Sequence, residues 1–198
     1  YNGDLSDVFE LQERIARAIA RELDVLLHGD QRLVPIATTE PEAYALYLEA
    51  SSIYNRRDVA HLDYAAEMLT KAITLDPRFT RAYARLASAH ALQISNTDVD
   101  ATTIIEAVKA EAAQASALDP GLGEPYTAIA LACDTVHHFV EGHAAIEKAV
   151  PMQPRDPAVC YWAGALTLNV GYGALACGYF DRVLNLDRTV LQDSAART

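Results

Sequence analysis

The sequence predicts an all-α protein, an α-α superhelix of about four helical hairpins preceded by one amphipathic helix. Three observations carry that expectation. About half of the 198 residues are apolar and alanine is abundant, whereas glycine and proline number only 9 and 8, so helix formers dominate and few positions break them. Four segments, 71–77, 114–120, 148–154 and 182–188, share one pattern of small and bulky residues closing on Asp-Pro or its equivalent. The step from Pro120 to Pro154 is 34 residues and from Pro154 to Arg188 again 34, a fixed period of the kind stacked hairpins produce. The step from Pro77 to Pro120 is nine residues longer. The polar stretch 94–102 stands where a hairpin turn would, so an enlarged loop is expected to absorb the excess.

The first element is expected over residues 7–28. Val8, Leu11, Ile15, Ile19, Leu23, Leu26 and Leu27 mark one face, and Glu10, Glu13, Arg14, Arg17, Arg21 and Glu22 the other. Asp7 and Glu10 have capping-box spacing. A stripe this apolar needs cover, either from the first hairpin, from a domain upstream, or from a second copy. In the last case Val8, Leu11, Ile15, Ile19 and Leu23 form an association helix, with Glu/Arg pairs flanking the seam of a homodimer.

The hairpins follow in order. The first pairs residues 41–55, opened by Thr39 and Glu42 at capping-box spacing, with residues 60–75, and Arg56-Arg57 fills the turn. The second pairs 80–93 with 103–118, the third 124–137 with 140–152, and the fourth 157–170 with 172–186. Residues 189–198 read as the start of a further helix. The expected division is therefore an amphipathic helix and linker over 1–38 and four repeats over 39–188, at about 39–77, 78–120, 121–154 and 155–188. A tail over 189–198 completes it.

Within these hairpins the chain resembles tetratricopeptide-repeat proteins over about residues 40–188. The first-helix signature of bulky, large, small and bulky residues falls on Tyr83, Leu86, Ala87 and His90. It recurs on Tyr126, Ile129, Ala130 and Cys133, and again on Cys160, Ala163, Gly164 and Thr167. The small position lets the two helices of a hairpin cross closely, which a larger side chain would prevent. The second helices carry small, bulky, small at Ala65, Leu69, Ala72, at Gly142, Ile146, Ala149, and at Ala176, Phe180, Val183. Val108, Ala112 and Ala115 depart from that pattern, so looser packing is expected in the second repeat.

A narrower resemblance lies at the front. The string from Asp4 to Ala16, followed by Glu40 to Leu48, is similar to the join in bacterial multidomain signalling proteins, where a small α/β domain precedes such a helix and repeats follow it. Their output modules are class III adenylate or guanylate cyclase domains or winged-helix DNA-binding domains of the CadC or HilA type. The resemblance implies that this chain is the regulatory part of such a protein, with a cyclase or DNA-binding domain upstream. The lack of an initiator methionine suits a piece of something longer. The implied function is a non-catalytic scaffold for protein–protein interaction. The alternative is a sensor of a small molecule or peptide that biases an upstream output domain.

Charge and motifs narrow the chemistry. A formal net charge of −11 repels nucleic-acid phosphates and anionic headgroups, so neither nucleic acid nor membrane is expected as a partner. No apolar run reaches the roughly 18 to 20 residues that cross a bilayer. Cys133, Cys160 and Cys177 lie in apolar helical stretches and read as small buried hydrophobes of a reducing, cytoplasmic compartment. His137, His138 and His143 with Cys133 and Glu141 have ligand residue types. They lack the paired spacing of a zinc site, even with Cys133 and His137 four apart on one expected helix face. No phosphate-loop, nucleophile-elbow or zinc-protease string occurs, so no cofactor, metal or enzyme activity is expected.

The resemblance places the functional surface on the concave side, lined by the first helices. It projects Arg81, Ala84, Arg85 and Ser88, then Glu124, Thr127, Leu131 and Asp134, then Ala158, Tyr161, Ala165, Leu168 and Asn169 into that groove. The Lys, Arg and Asn clamp with which chaperone-type repeats hold a terminal carboxylate is missing, because the matching positions are Ala84, Ser88, Thr127, Leu131 and Tyr161. What remains is a groove with Arg81 and Arg85 at one end and Tyr161 at the other, suited to a protein or peptide segment of mixed acidic and apolar character. An apolar pocket under Tyr161 and Trp162 would instead favour the small-ligand alternative.

Overall fold

The computed structural model describes residues 10–12, 14–15, 38–56, 58–94 and 100–186. Over 38–186 the described residues form eight α-helices and one 3-10 turn, with no strand among them: α1 (Pro41–Asn55), the turn Val59–His61, α2 (Leu62–Leu75), α3 (Thr80–Gln93), α4 (Ala101–Leu118), α5 (Glu124–Thr135), α6 (Phe139–Met152), α7 (Pro157–Asn169) and α8 (Gly173–Leu186). Consecutive helices pack as four hairpins. Each first helix also packs on the first helix of the next hairpin, so α1, α3, α5 and α7 make one layer and α2, α4, α6 and α8 the other.

The recurring Leu-Asp-Pro has a local structural job. Asp76 and Asp119 leave the helix in extended conformation at the C-caps of α2 and α4. The Oδ1 of Asp76 accepts the N–H of Arg78, and that of Asp119 accepts the N–H of Gly121, each at 2.9 Å. The aspartate thereby bridges over a proline that has no N–H to offer and turns the chain into the next repeat. Asp156 does the complementary job, accepting from Ala158 N at 2.8 Å and Val159 N at 3.2 Å ahead of Pro157, the first residue of α7.

Another device repeats at 34 residues. His137 (φ 63°) and Gly171 (φ 94°) both take the left-handed conformation just after a first helix. His138 N donates to Cys133 O at 2.8 Å, and Tyr172 N to Thr167 O at 3.0 Å, so both turns close in the same way.

Several expectations are corrected. Thr39 does not cap α1. The N-cap is Glu40 with no side-chain bond, and Thr38 acts in its place, its Oγ1 accepting from Glu40 N at 3.1 Å and donating to Asp76 Oδ2 at 2.5 Å. That bond ties the entrance of the first hairpin to its exit. The nine extra residues of the second repeat do not all go to a loop. Ala101 and Thr102 open α4, which runs 18 residues where α2, α6 and α8 run 14; residues 95–99 lie outside the described ones. The expected looseness at Val108, Ala112 and Ala115 is absent, since all three are exposed by 1% or less. Ile104, the last residue of the added turn, and Ile105 beside it belong to the same buried cluster as Ala112 and supply the bulk that it lacks. His137 shares no helix face with Cys133, because α5 ends at Thr135. Cys177 is exposed, unlike buried Cys133 and Cys160.

The core is a chain of three apolar clusters along the stack. Ala43, Leu69, Phe79 and Leu86 centre the first; Ile105, Val108 and Leu131 the second; Ile146, Val159 and Leu166 the third. Ile129 and Trp162 pack against both the second and the third. Of the front helix, Glu10–Gln12, Arg14 and Ile15 are helical, with Leu11 and Ile15 exposed. Val8, Ile19 and Leu23 lie outside the described residues.

Candidate functional site: a cavity in the layer of first helices

Helices α1, α3, α5 and α7 enclose a cavity of about 320 Å³ that is open on one side. Tyr54 and Asn55 from the end of α1, Ser88 from α3, Thr127, Ala128 and Leu131 from α5, and Ala158 and Trp162 from α7 line it. Leu131 and Ala128 are core residues whose outer edges form the floor, while Ala158 is an exposed rim residue.

The aromatic walls have partners of their own. The Arg85 guanidinium lies 4.6 Å from the centre of the Tyr54 ring and pairs with Glu124 at 3.3 Å. Burial pulls the Arg85 pKa down, and Glu124 with Tyr47 and Tyr54 outweighs it, so the group stays charged with its pKa above the ordinary value. Trp162 stands edge-on to Tyr161 with ring centroids 5.2 Å apart, and Tyr161 meets Phe180 at 6.2 Å. Each ring therefore has a packing partner within the fold.

Two hydroxyls at the cavity are bonded to their own helices. Ser88 Oγ donates to Ala84 O at 3.0 Å, and Thr127 Oγ1 donates to Gly123 O at 3.3 Å. What each hydroxyl offers to a ligand is its oxygen lone pairs. Neither the ion pair nor the inter-helix amide–carboxylate bond of this layer lines the cavity. Arg85–Glu124 bridges α3 and α5, and Asn169 Nδ2 donates to Asp134 Oδ1 at 2.9 Å between α5 and α7. Burial raises the Asp134 pKa more than the Asn169 hydrogen bond and nearby His137 lower it.

Of the expected groove residues, Ser88, Thr127, Leu131 and Ala158 meet at the cavity, and the others do not. Ala84 is fully buried. Arg81 is exposed on α3, and Arg85 is no open basic anchor, because Glu124 neutralises it. Tyr161 points into the packing with α8 and leaves the wall to its neighbour Trp162. Ala165 is half-buried and Leu168 exposed, both away from the cavity. Tyr54 and Asn55 were missed because the register of α1 is ambiguous in sequence. The available signal was a tyrosine at the very end of that helix, two residues before Arg56-Arg57.

The histidines scatter. His137 lies tilted beside Phe139 with ring centroids 5.4 Å apart, His138 sits 3.9 Å from Glu141, and His143 3.9 Å from Glu147. Cys133 is buried, its pKa pushed up to about 11 by burial and by Glu141. Among the described residues no group of three or more His, Cys, Asp or Glu is placed to hold a metal ion. A second, open cavity of about 500 Å³ lies against α2 and α3, lined by Asp63, Glu67, Thr70, Lys71, His90 and Gln93. There Gln93 binds Asp63 at 2.5 Å and His90 meets Glu111 at 2.8 Å. No helix among the described residues is long and apolar enough to cross a membrane.

No family model and no curated protein matches the chain. Solved structures do. TTC0263, a thermophilic tetratricopeptide-repeat protein of Thermus thermophilus, superposes with a TM-score of 0.66 at 13% identity, covering 96% of this chain and 89% of that one. MamA of Desulfovibrio magneticus, from residue 41 to its end, gives 0.52 at 17% identity, with 96% and 98% covered. The first repeat domain of Spaghetti (RPAP3), bound to the HSP90 peptide SRMEEVD, gives 0.51 at 15% identity, with 69% and 98% covered. Together with the eight helices in hairpins, these likenesses establish that the chain has the tetratricopeptide-type helical-repeat fold.

Proposed function

We propose that this chain is a non-catalytic scaffold that holds a segment of a partner protein against its layer of first helices. It would serve as the regulatory part of a cytoplasmic bacterial signalling or transcription-regulating protein. The cavity between α1, α3, α5 and α7 carries the reading: it is half-enclosed, walled by two braced aromatic rings and placed where four successive repeats converge. A structural neighbour of the same fold was solved with a peptide bound. The clamp residues for a terminal carboxylate are absent here, so the partner is held by other contacts. The negative net charge disfavours nucleic acid and anionic membranes.

Peptides selected from a displayed library against the folded chain test this. Ala158→Arg, at an exposed rim position, should weaken selected peptides by at least about tenfold with unchanged circular dichroism. Unchanged affinity would show that the partner binds elsewhere. The second reading, a small-molecule sensor acting on an upstream output domain, draws support from the cavity volume, which is at the low end of the roughly 300–1,000 Å³ typical of ligand sites.

A further inference from the structure

We infer that the outer face of α7 and α8 binds the front helix of a second copy of this chain. That face is separate from the cavity, so the inference stands apart from the scaffold reading.

The 34-residue period shows what the face lacks. On α6, Ile146 is buried, Val150 is half-buried against the third apolar cluster, and His143 is half-buried with its ring 6.3 Å from Tyr172 of the next repeat. The residues 34 positions on are Phe180, Leu184 and Cys177 of α8. Phe180 is only half-buried, Leu184 is exposed by 45% and Cys177 is exposed. On the first helices, Asp134 of α5 reaches Asn169 of α7. Its counterpart on α7 is Leu168, exposed by 53%. Among the described residues, then, the face has the positions of an interior junction of the stack without the first helix that covers one.

Two segments of the sequence could supply that helix. By the same period residues 191–198 stand where α7 begins, and they put Asp193, Ser194 and Arg197 at the places of buried Val159, Cys160 and Ala163. Charged side chains there would lose hydration against an apolar face, which disfavours this segment. The front helix is better suited. Its helical residues leave Leu11 and Ile15 exposed by 48% and 52%, so no described part of the stack covers them. Ile15, Ala16 and Ile19 repeat the large, small and bulky steps that Ile129, Ala130 and Cys133 make in a first helix, and Leu23 extends the stripe. The small residue permits the close approach such a junction needs. This helix leads into α1, and α1 and α8 stand at opposite ends of the row of hairpins. A second copy brings the two apolar surfaces together without wrapping the chain back along its own stack, and one contact removes both from water.

The test uses the full chain. Sedimentation velocity should show self-association, and Leu11→Asp with Ile15→Asp should abolish it. Leu168→Asp with Leu184→Asp, at the far end of the stack, should abolish it too. All four side chains are about half exposed, so circular dichroism should not change. Mixed in equal amounts, the two double variants should form a complex again, because one keeps the face and the other the helix. Cys177 gives a readout that needs no substitution. Cys133 and Cys160 are buried, so thiol labelling reports Cys177, and its rate should fall as the chain concentration rises. Association that survives Leu168→Asp with Leu184→Asp would place the front helices on each other or on another surface and overturn the inference. Labelling of Cys177 at a rate independent of concentration would overturn it as well. Ala158→Arg with library-selected peptides would still decide the scaffold reading separately.

Discussion

His137 and Gly171 show how one position in the repeat is solved by two residues at different cost. Both hold a positive φ immediately after a first helix, and only glycine does so without a clash between Cβ and backbone. His137→Gly should therefore raise stability by about 0.5–1 kcal/mol in urea unfolding, and Gly171→Ala should lower it by about 1 kcal/mol. Asp134 offers a pH-dependent counterpart. Its pKa is raised by burial, so the folded state binds the proton more tightly than the unfolded chain does. The sign follows directly: stability falls as pH rises from the unfolded carboxylate pKa through the higher folded one, and stays lower above it. Asp134→Asn keeps an oxygen for Asn169 and removes the charge. It should gain up to about 1 kcal/mol at pH 7 and nothing at pH 3, read from denaturant midpoints across that range.

At the scale of elements, the glycines of the hairpins set how closely two helices approach. A Cβ on Gly164 of α7 would stand 2.7 Å from Cε1 of Phe180 on α8, and one on Gly142 of α6 would stand 2.9 Å from Leu166 of α7 and 3.1 Å from Cys133 of α5. Real Cβ atoms essentially never come within 3.0 Å of such a neighbour, so Phe180 and Leu166 would have to move. Gly164→Ala is expected to cost about 1–3 kcal/mol through displacement of the Phe180 ring, which in turn supports Tyr161. Thermal unfolding reads the cost, and near-ultraviolet dichroism reads the loss of aromatic packing. Smaller effects would mean that the ring rotates aside without opening the hairpin. This is also where the sequence is most legible. Ala130 and Gly164 stand out from the 34-residue period alone, because a close crossing has a single chemical solution, the absence of bulk. The second repeat was less legible: Val108, Ala112 and Ala115 break the pattern, yet Ile104 and Ile105 from the longer helix restore the packing. Compensation of that kind depends on which turn lies over which, and spacing does not encode it.

For the whole molecule, each hairpin packs mainly on its neighbours, so the core is a row of linked clusters. Trp162 and Ile129 join the second cluster to the third, which places the cavity wall at a seam between repeats. Ligand occupancy there should couple the two halves of the stack. Association is a separate question that the amphipathic stripe at Val8, Leu11, Ile15, Ile19 and Leu23 raises. If that stripe forms a dimer seam, light scattering should give twice the chain mass for the full sequence and one chain mass for a version starting at Thr39. Monomers in both cases would remove the association helix from the functional account.

Periodicity was enough to determine the hairpin architecture, the spans of the hairpin helices to within two or three residues and the small crossing positions. All of these follow from contacts between residues a fixed number of steps apart along a helix or between adjacent helices. Tertiary structure alone decided the candidate surface. Tyr54, Ser88, Thr127 and Trp162 are scattered over more than a hundred residues of sequence and meet only because four first helices stack side by side. It also decided that Arg85 is neutralised by Glu124, 39 residues away, and that the hydroxyls of Ser88 and Thr127 turn inward to their own carbonyls. Side-chain direction and pairing across repeats depend on how the superhelix curves, and that curvature is the sum of small packing differences no single repeat records.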